Sequence, residues 1–130
     1  MIKYDYHIKK GRRKMKNIME LALQKTIEQG GFTNNETVKG RYCVATGINE
    51  TILPNVDELT IETLENYQKT IDKLGKKGYV LGTWINQDNG KVYLDTVELF
   101  EDYDLAMQKA VEREEIAIYD LLENKELRVK

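Results

Sequence analysis

Nucleophilic catalysis is the first chemistry to consider, and the chain holds few residues for it. It has no serine, one cysteine (Cys43) and one histidine (His7). An activated nucleophile needs a base within hydrogen-bond reach. Cys43 falls in a predicted strand, whereas His7 lies in an N-terminal segment without apolar periodicity, so the two meet only if that segment folds back. We therefore interpret Cys43 as a small buried hydrophobic residue.

Metal and phosphate sites are equally poorly represented. A structural zinc site takes four ligands, mainly Cys and His, and the single Cys and single His fill at most two positions. Asp88, Asn89 and Asp95 lie near a turn, but their spacing does not match a calcium-binding loop. The sequence lacks GxxxxGK[ST] and GxGxxG, the glycine patterns of phosphate-binding loops. We expect no metal ion and no cofactor.

Acidic residues crowd the C-terminal third, where paired carboxylates could exchange protons with a substrate. Chance proximity is expected among so many acids, and neither a partner cation nor an aromatic pocket accompanies them. Asp95 stands out because aspartate is disfavoured in the middle of a strand; it either faces water or caps a neighbouring loop. The missing components predict a protein that is not an enzyme. The acids considered were Asp95, Glu98, Glu101, Asp102 and Asp104.

Charge is distributed unevenly around the net value of −2. Residues 1–26 carry eight Lys or Arg and two Asp or Glu, whereas residues 86–130 carry six and twelve. Residues 1–16 are predicted to form a basic arm that contacts nucleic acid through phosphates and through base stacking. The contact is expected to be weak, because the acidic remainder of the chain would repel a phosphate backbone. The cations of this arm are Lys9, Lys10, Arg12, Arg13, Lys14 and Lys16.

The acidic C-terminal half suits a basic protein surface. Carboxylates along one side of a helix could imitate a row of phosphates and steer the protein toward a Lys- or Arg-lined groove of a nucleic-acid enzyme; a solubilising surface is the alternative for each residue. Trp84 and Tyr93 are candidate exposed anchors, although for Trp84 a place in the core under the second or third helix is favoured. The candidate partner-binding residues are Asp102, Asp104, Glu112, Glu114, Glu115, Trp84 and Tyr93.

Apolar periodicity predicts two helices early in the chain. The first covers residues 17–29 and ends at Gly30. The second begins after Thr60, a favourable N-cap residue. The apolar stripe of the first helix is Ile18, Leu21, Ala22 and Ile27, and that of the second is Ile61, Leu64, Tyr67, Ile71 and Leu74.

Four strands are predicted from β-branched and aromatic residues. They lie at residues 41–46, 51–53, 79–85 and 91–97, and the last two flank a loop that ends in Asn-Gly, which is typical of a hairpin. Alternation along the fourth strand assigns one face to the helices and a more polar face to the opposite side. The first face holds Val92, Leu94 and Thr96, and the second holds Lys91, Tyr93, Asp95 and Val97.

A third helix is predicted to begin at Asp102 or Asp104 and to extend its packing face through Ile118 to Leu121. Residues 125–130 alternate in polarity and could add an edge strand. The predicted fold is therefore α+β, in the order α-β-β-α-β-β-α, with an antiparallel sheet of about four strands and helices packed on it. Residues 17–130 form its single domain.

The composition also predicts where the protein resides. No apolar run approaches the ~20 residues needed to cross a bilayer, and no apolar region follows the basic N-terminus as in a secretory signal. One cysteine fits a reducing compartment. A cytoplasmic protein without membrane contact is expected.

Four motifs resemble a group of small accessory proteins encoded on phages, plasmids and integrative elements. They are GGFT, GTW, YLD and AIYDL, and they extend over residues 30–121; the segments before Met15 and at 41–54 match less well. The resemblance carries no catalytic motif. Small proteins of such elements include anti-CRISPR and anti-restriction proteins, which block a nuclease without catalysis. The resemblance thus implies a non-catalytic inhibitor of a host defence nuclease, and the alternative is an accessory DNA- or RNA-binding protein that uses the basic arm.

Overall fold

Residues 17–129 are described by the computed structural model. Three helices lie on one face of a seven-stranded antiparallel sheet. The elements, in chain order, are α1 (residues 17–29), β1 (Gly31–Thr33), β2 (Tyr42–Ala45), β3 (Thr51–Leu53), a 3₁₀ turn (Val56–Glu58), α2 (Ile61–Lys73), β4 (Tyr79–Ile85), β5 (Val92–Phe100), α3 (Tyr103–Glu112), β6 (Ala117–Asp120) and β7 (Lys125–Arg128).

The α+β prediction is confirmed, but the prediction of about four strands is too low. β1 and β6 were not predicted, and β7 is the edge strand suggested by the alternating tail. The third helix ends at Glu112 instead of reaching Leu121, because Glu114 adopts a left-handed backbone conformation with φ of 57°. The chain then reverses and pairs Ala117–Asp120 with β2 and β7.

β5 is the central strand of the sheet. On one side of β5, β4 pairs with residues 92–98. On the other side, β3 pairs with residues 92–94 and β2 pairs with residues 97–100. β2 and β3 pair with the same edge of β5, and the loop between them runs along that edge, where Thr46 donates hydrogen bonds from N (3.0 Å) and Oγ1 (2.7 Å) to the Thr96 carbonyl. Glu50, at the end of this loop, lies close enough to Asp95 for its charge to raise the pKa of that carboxyl.

The main core lies between the sheet and the first two helices. The predicted face of α2 is confirmed at Leu64, Tyr67 and Ile71, which pack on Leu81 and Leu94. Thr60 caps the helix as predicted by accepting a hydrogen bond from the Thr63 amide at 3.1 Å. A second cluster places Ala106 and Ala110 of α3 against Tyr42 and Val44 of β2, on the same face of the sheet.

The apolar stripe predicted for α1 is partly wrong. Met19, Ala22 and Thr26 face the core, while Leu21 and Ile27 are exposed. Thr26 tolerates burial because its hydroxyl donates to the Ala22 carbonyl at 2.6 Å and also bonds to the Thr83 hydroxyl of β4. The buried stripe is thus rotated around the helix, which leaves Leu21 available to the other side of the molecule.

A bidentate ion pair holds β6 against the start of β2. Arg41 donates from Nε and from its terminal amine to the two oxygens of Asp120, at 3.0 and 2.9 Å. Asp120 is buried and also accepts the amides of Leu122 and Glu123. The Arg41 hydrogen bonds and these amides lower the pKa of Asp120 from 3.8 to about 2. Within residues 17–129, no helix has the length and apolar character to cross a membrane.

Candidate functional site

The sheet face that carries no helix forms a cleft of about 850 Å³. Its volume falls within the range of ligand-binding sites in proteins. The alternation of strand residues directs one side chain of every two into it. The strand residues that line it include Gly31 and Thr33, Cys43 and Ala45, Gly82 and Trp84, Asp95 and Val97, and Ala117 and Tyr119.

An aromatic pair stands at one end of this cleft face. Trp84 of β4 and Tyr93 of β5 are directly opposite in register, and their rings stack with centroids 4.3 Å apart and an interplanar angle of 13°. The favoured prediction that Trp84 lies in the core is wrong, because its side chain points away from the helices and is 42% exposed. Tyr93 is half-buried, and the role of either residue as an anchor for a partner stays a prediction.

Asp95 lies two residues along β5 from Tyr93 and points into the same cleft. Partial burial raises its pKa from 3.8 to about 6, and the nearby Glu50 and Glu115 contribute to the increase. Trp84 lies beside the carboxylate and lowers this pKa. Asp95 is therefore a half-buried acid of the cleft with a raised pKa, whereas the sequence predicted a residue that faces water or caps a loop.

Two further carboxylates surround Asp95. Glu50 comes from the loop between β2 and β3, and Glu115 lies just before β6. Burial and the charge of Glu50 raise the pKa of Glu115, and Arg113 lowers it. Arg113 is itself engaged by Glu98 and by the Ala45 carbonyl. The cleft consequently has a negative centre, although no cluster of three or more potential metal ligands occurs within residues 17–129.

Two glycines lie in the cleft floor beside these residues, at positions with no room for a side chain. Gly82 pairs with Asp95 on one side and with Thr33 on the other, and Gly31 pairs with Trp84. A Cβ at Gly82 would lie 3.0 Å from Val97 Cγ1, and one at Gly31 would lie 2.9 Å from the Thr83 carbonyl oxygen. Glycine weakens a strand, and it often marks a place where a ligand or another backbone approaches closely.

Large apolar side chains form an exposed rim around the negative centre. Leu21 of α1, Trp84, Ile116 and Tyr119 all line the cleft, and each is at least 41% exposed. Isolated exposed apolar residues are ordinary, but a group of them around one concavity indicates an interaction site. The cleft therefore combines an apolar rim with an acidic interior.

Cys43 contributes shape to the cleft and no reactivity. The prediction of a small buried residue is confirmed, since its side chain is buried in β2. Burial raises the pKa of the thiol to about 12, so it stays protonated at neutral pH. Because the thiolate is the nucleophilic form of cysteine, Cys43 is unreactive in this state. The Sγ atom of Cys43 lies 3.9 Å from the Thr33 hydroxyl, which donates to it.

The five predicted acidic contacts separate into two groups. Glu115 lines the cleft, whereas the other four lie on or beside α3, which packs on the opposite face of the sheet. Asp102 caps α3 by accepting the Asp104 amide at 3.0 Å, and Glu112 pairs with Lys109 at 3.5 Å. Asp104 and Glu114 are exposed.

The predicted cations, Lys9 to Lys16, lie outside the described residues. Nucleic-acid contact through the N-terminal segment consequently stays a prediction from the sequence.

Sequence reasoning missed Gly82, Leu21, Ile116 and Tyr119 as cleft residues, and it missed Glu50 as a carboxylate close to Asp95. Two signals were present: an aspartate in mid-strand at 95, and a glycine in mid-strand at 82. Comparison of the chain with family models, with curated proteins and with solved structures gave no match.

Proposed function

We propose that this protein acts by binding a basic surface of a partner protein in its cleft, without catalysing a reaction. The observation that carries the proposal is the stacked Trp84–Tyr93 pair beside the half-buried Asp95, inside a rim of exposed apolar side chains. Aromatic residues at partly desolvated positions commonly dominate the binding energy of protein interfaces.

The charge of the described residues supports a basic partner. Residues 17–129 carry 21 Asp or Glu and twelve Lys or Arg. Such a surface repels nucleic acid and accelerates encounter with a cationic protein. Asp95, Glu115 and Glu50 concentrate this charge at the cleft.

The partner class follows from the resemblance to accessory proteins of mobile elements. We propose a host defence nuclease, or another nucleic-acid enzyme, whose phosphate-binding groove is lined by Lys and Arg. A protein that occupies such a groove denies access to the nucleic acid, as an anti-CRISPR protein does, and needs no catalytic residue of its own.

A matched pair of variants tests this proposal. The immobilised protein is incubated with purified nucleases of CRISPR and restriction systems, and the same nucleases are assayed for cleavage in its presence. We expect capture and inhibition by the wild type, weakening in Glu115→Gln, which alters the cleft, and no change in Glu112→Gln, which alters α3.

Three results would contradict the proposal. Absence of both capture and inhibition across the nucleases would overturn the partner class. Equal inhibition by both glutamine variants would remove the cleft from the interface, and turnover of a compound by the purified protein would contradict the non-catalytic role.

A further inference from the structure

We propose that the ligand of the cleft is an arginine side chain on a segment of the partner, stacked on Trp84 and paired with Asp95. This inference rests on the proposed function for the identity of the partner and adds the chemical group that is recognised. It is argued from the exposed indole of Trp84, the unpaired carboxylate of Asp95 and the apolar rim.

Trp84 is stacked on one face and remains 42% exposed. Tyr93 on β5 covers one face of the indole by stacking at 4.3 Å. On the other side, the directly opposite residue in β1 is Gly31, which has no side chain. A planar guanidinium stacks on such a face, and tryptophan gives the strongest cation–π attraction of the aromatic residues.

Asp95 offers a carboxylate without a cationic partner. Within residues 17–129 no ion pair involves it. A carboxylate has lone pairs for several donors, so the fork of a guanidinium could bind. Gly82, directly opposite Asp95, has no side chain of its own, and Val97 occupies the space that a Cβ would take there.

The cations near the cleft do not satisfy Asp95. Arg113 bonds to Glu98 and to the Ala45 carbonyl, and Arg128 pairs with Glu126 at 3.4 Å. Lys25 lines the cleft but forms no ion pair with it. The negative centre is thus left for a cation from outside the described part of the chain.

Arginine fits this arrangement better than lysine does. An exposed indole and a neighbouring carboxylate match a flat group that stacks on a ring and donates hydrogen bonds from its edge. A lysine ammonium is a compact point charge and gains little from the flat surface. Leu21, Ile116 and Tyr119 on the rim provide contacts for apolar residues that flank the arginine.

The site also predicts a dependence of binding on pH. The groups that act on Asp95 are Trp84 from β4, Glu50 from the β2–β3 loop and Glu115 before β6, while Cys43 of β2 and Tyr67 of α2 respond to its charge. The pKa values of Cys43 and Tyr67 are raised, so both stay neutral below pH 8. Binding should therefore weaken as the pH falls from 7.5 to 5 and the carboxyl groups gain protons.

Trp84 gives the test a direct signal because it is the only tryptophan of the chain. The probe is a blocked pentapeptide, Ala-Leu-Arg-Leu-Ala, and the control peptide carries citrulline in place of arginine, which keeps the shape and removes the charge. Each is titrated into the full-length protein while tryptophan fluorescence and the indole N–H resonance are recorded.

We expect saturable binding of the arginine peptide and at least about tenfold weaker binding of the citrulline peptide. Asp95→Asn should weaken the arginine peptide by about tenfold or more, whereas Asp88→Asn in the β4–β5 turn should leave it unchanged. Circular dichroism confirms that each variant is folded.

Several outcomes overturn the inference. They are equal affinity for the two peptides, equal affinity of wild type and Asp95→Asn, and no signal at about 10 mM peptide, where a complex of about 1 mM affinity is nearly saturated. A Trp84 signal that depends on protein concentration alone would make a second copy the occupant.

The two proposals can fail separately. Nuclease inhibition that Glu115→Gln weakens and Asp95→Asn leaves intact would preserve the proposed function and reject the arginine site. Specific binding of the arginine peptide without capture of any nuclease would preserve the site and reject the partner class.

Discussion

Replacing Asp95 with asparagine should stabilise the protein at alkaline pH and leave it unchanged at acidic pH. Burial and the charges of Glu50 and Glu115 raise the pKa of Asp95, so its ionised form is less favourable in the fold than in the unfolded chain. Asparagine keeps the shape of the side chain but carries no charge. The variant therefore removes an electrostatic cost that exists once the carboxyl ionises.

The size of this effect follows from the pKa difference. The pKa is 3.8 for an ordinary aspartate and about 6 for Asp95, and one pKa unit corresponds to 1.36 kcal/mol. The upper limit is thus about 3 kcal/mol, and solvent screening of a half-exposed carboxylate reduces it to about 1–2 kcal/mol. The folded state holds the proton up to about pH 6, so the contribution of Asp95 to wild-type stability is most favourable below pH 4 and declines as the pH rises toward 6.

Urea unfolding followed by circular dichroism, at pH values from 4 to 8, measures this directly. The free energy of unfolding of Asp95→Asn minus that of the wild type should grow from near zero at pH 4 to about 1–2 kcal/mol at pH 8. Asp88→Asn removes the same charge at an exposed turn and should show no such growth. A difference that is constant with pH, or a variant that is less stable at pH 8, would refute the reasoning.

Three other substitutions test the remainder of the fold by thermal and chemical unfolding. Leu64→Ala removes a fully buried side chain from the inner face of α2 and should lower the free energy of unfolding by about 2–5 kcal/mol. Ile52→Ala, at an exposed position, should lower it by less than about 0.5 kcal/mol. Equal losses of stability would contradict the assigned core. Asp120→Asn should lower the melting temperature by several degrees at pH 7 and by less near pH 2, because Arg41 keeps the wild-type carboxylate ionised above that pH; a loss independent of pH would show that the ion pair does not stabilise the fold. Thr60→Ala should cost about 1 kcal/mol through loss of the helix cap, and Thr60→Ser should restore most of it; equal stability of the two variants would refute the capping role.

Local patterns were sufficient for the elements whose neighbours are close in sequence. The periodic face of α2, its Thr60 cap and the β4–β5 hairpin were all predicted and are confirmed. In each case the residues that decide the structure lie within one helix or one turn, so the sequence contains the whole determinant.

Elements that depend on distant partners were not predictable in this way. β6 exists because it pairs with β2, more than seventy residues earlier, and because Arg41 binds Asp120. Ile118 in this strand and Leu121 directly after it also fit the period of a helix, so the local pattern does not distinguish a strand from a helix here. β1 likewise becomes a strand only through its pairing with β4.

The candidate site was predictable in part. Alternation placed Tyr93 and Asp95 on the same side of β5, and that is confirmed. The register between β4 and β5, which adds Trp84 to that side, is a tertiary fact. The position of Glu50 depends on a loop that follows the edge of β5 between β2 and β3, and no local pattern contains this information.

Asp95 connects the stability of the fold to its function. The alternating pattern of β5 is compatible with threonine or valine at this position. Either residue would pack beside Val97 and Cys43 without the unfavourable free energy of a buried charge. The carboxylate instead lowers the stability of the free protein at neutral pH, and the fold contains no cation that offsets it within residues 17–129. A cation that arrives from outside would remove this cost on binding, because pairing favours the ionised form. The affinity of the cleft for a guanidinium and the instability of the empty cleft therefore have one origin, and both should disappear together in Asp95→Asn.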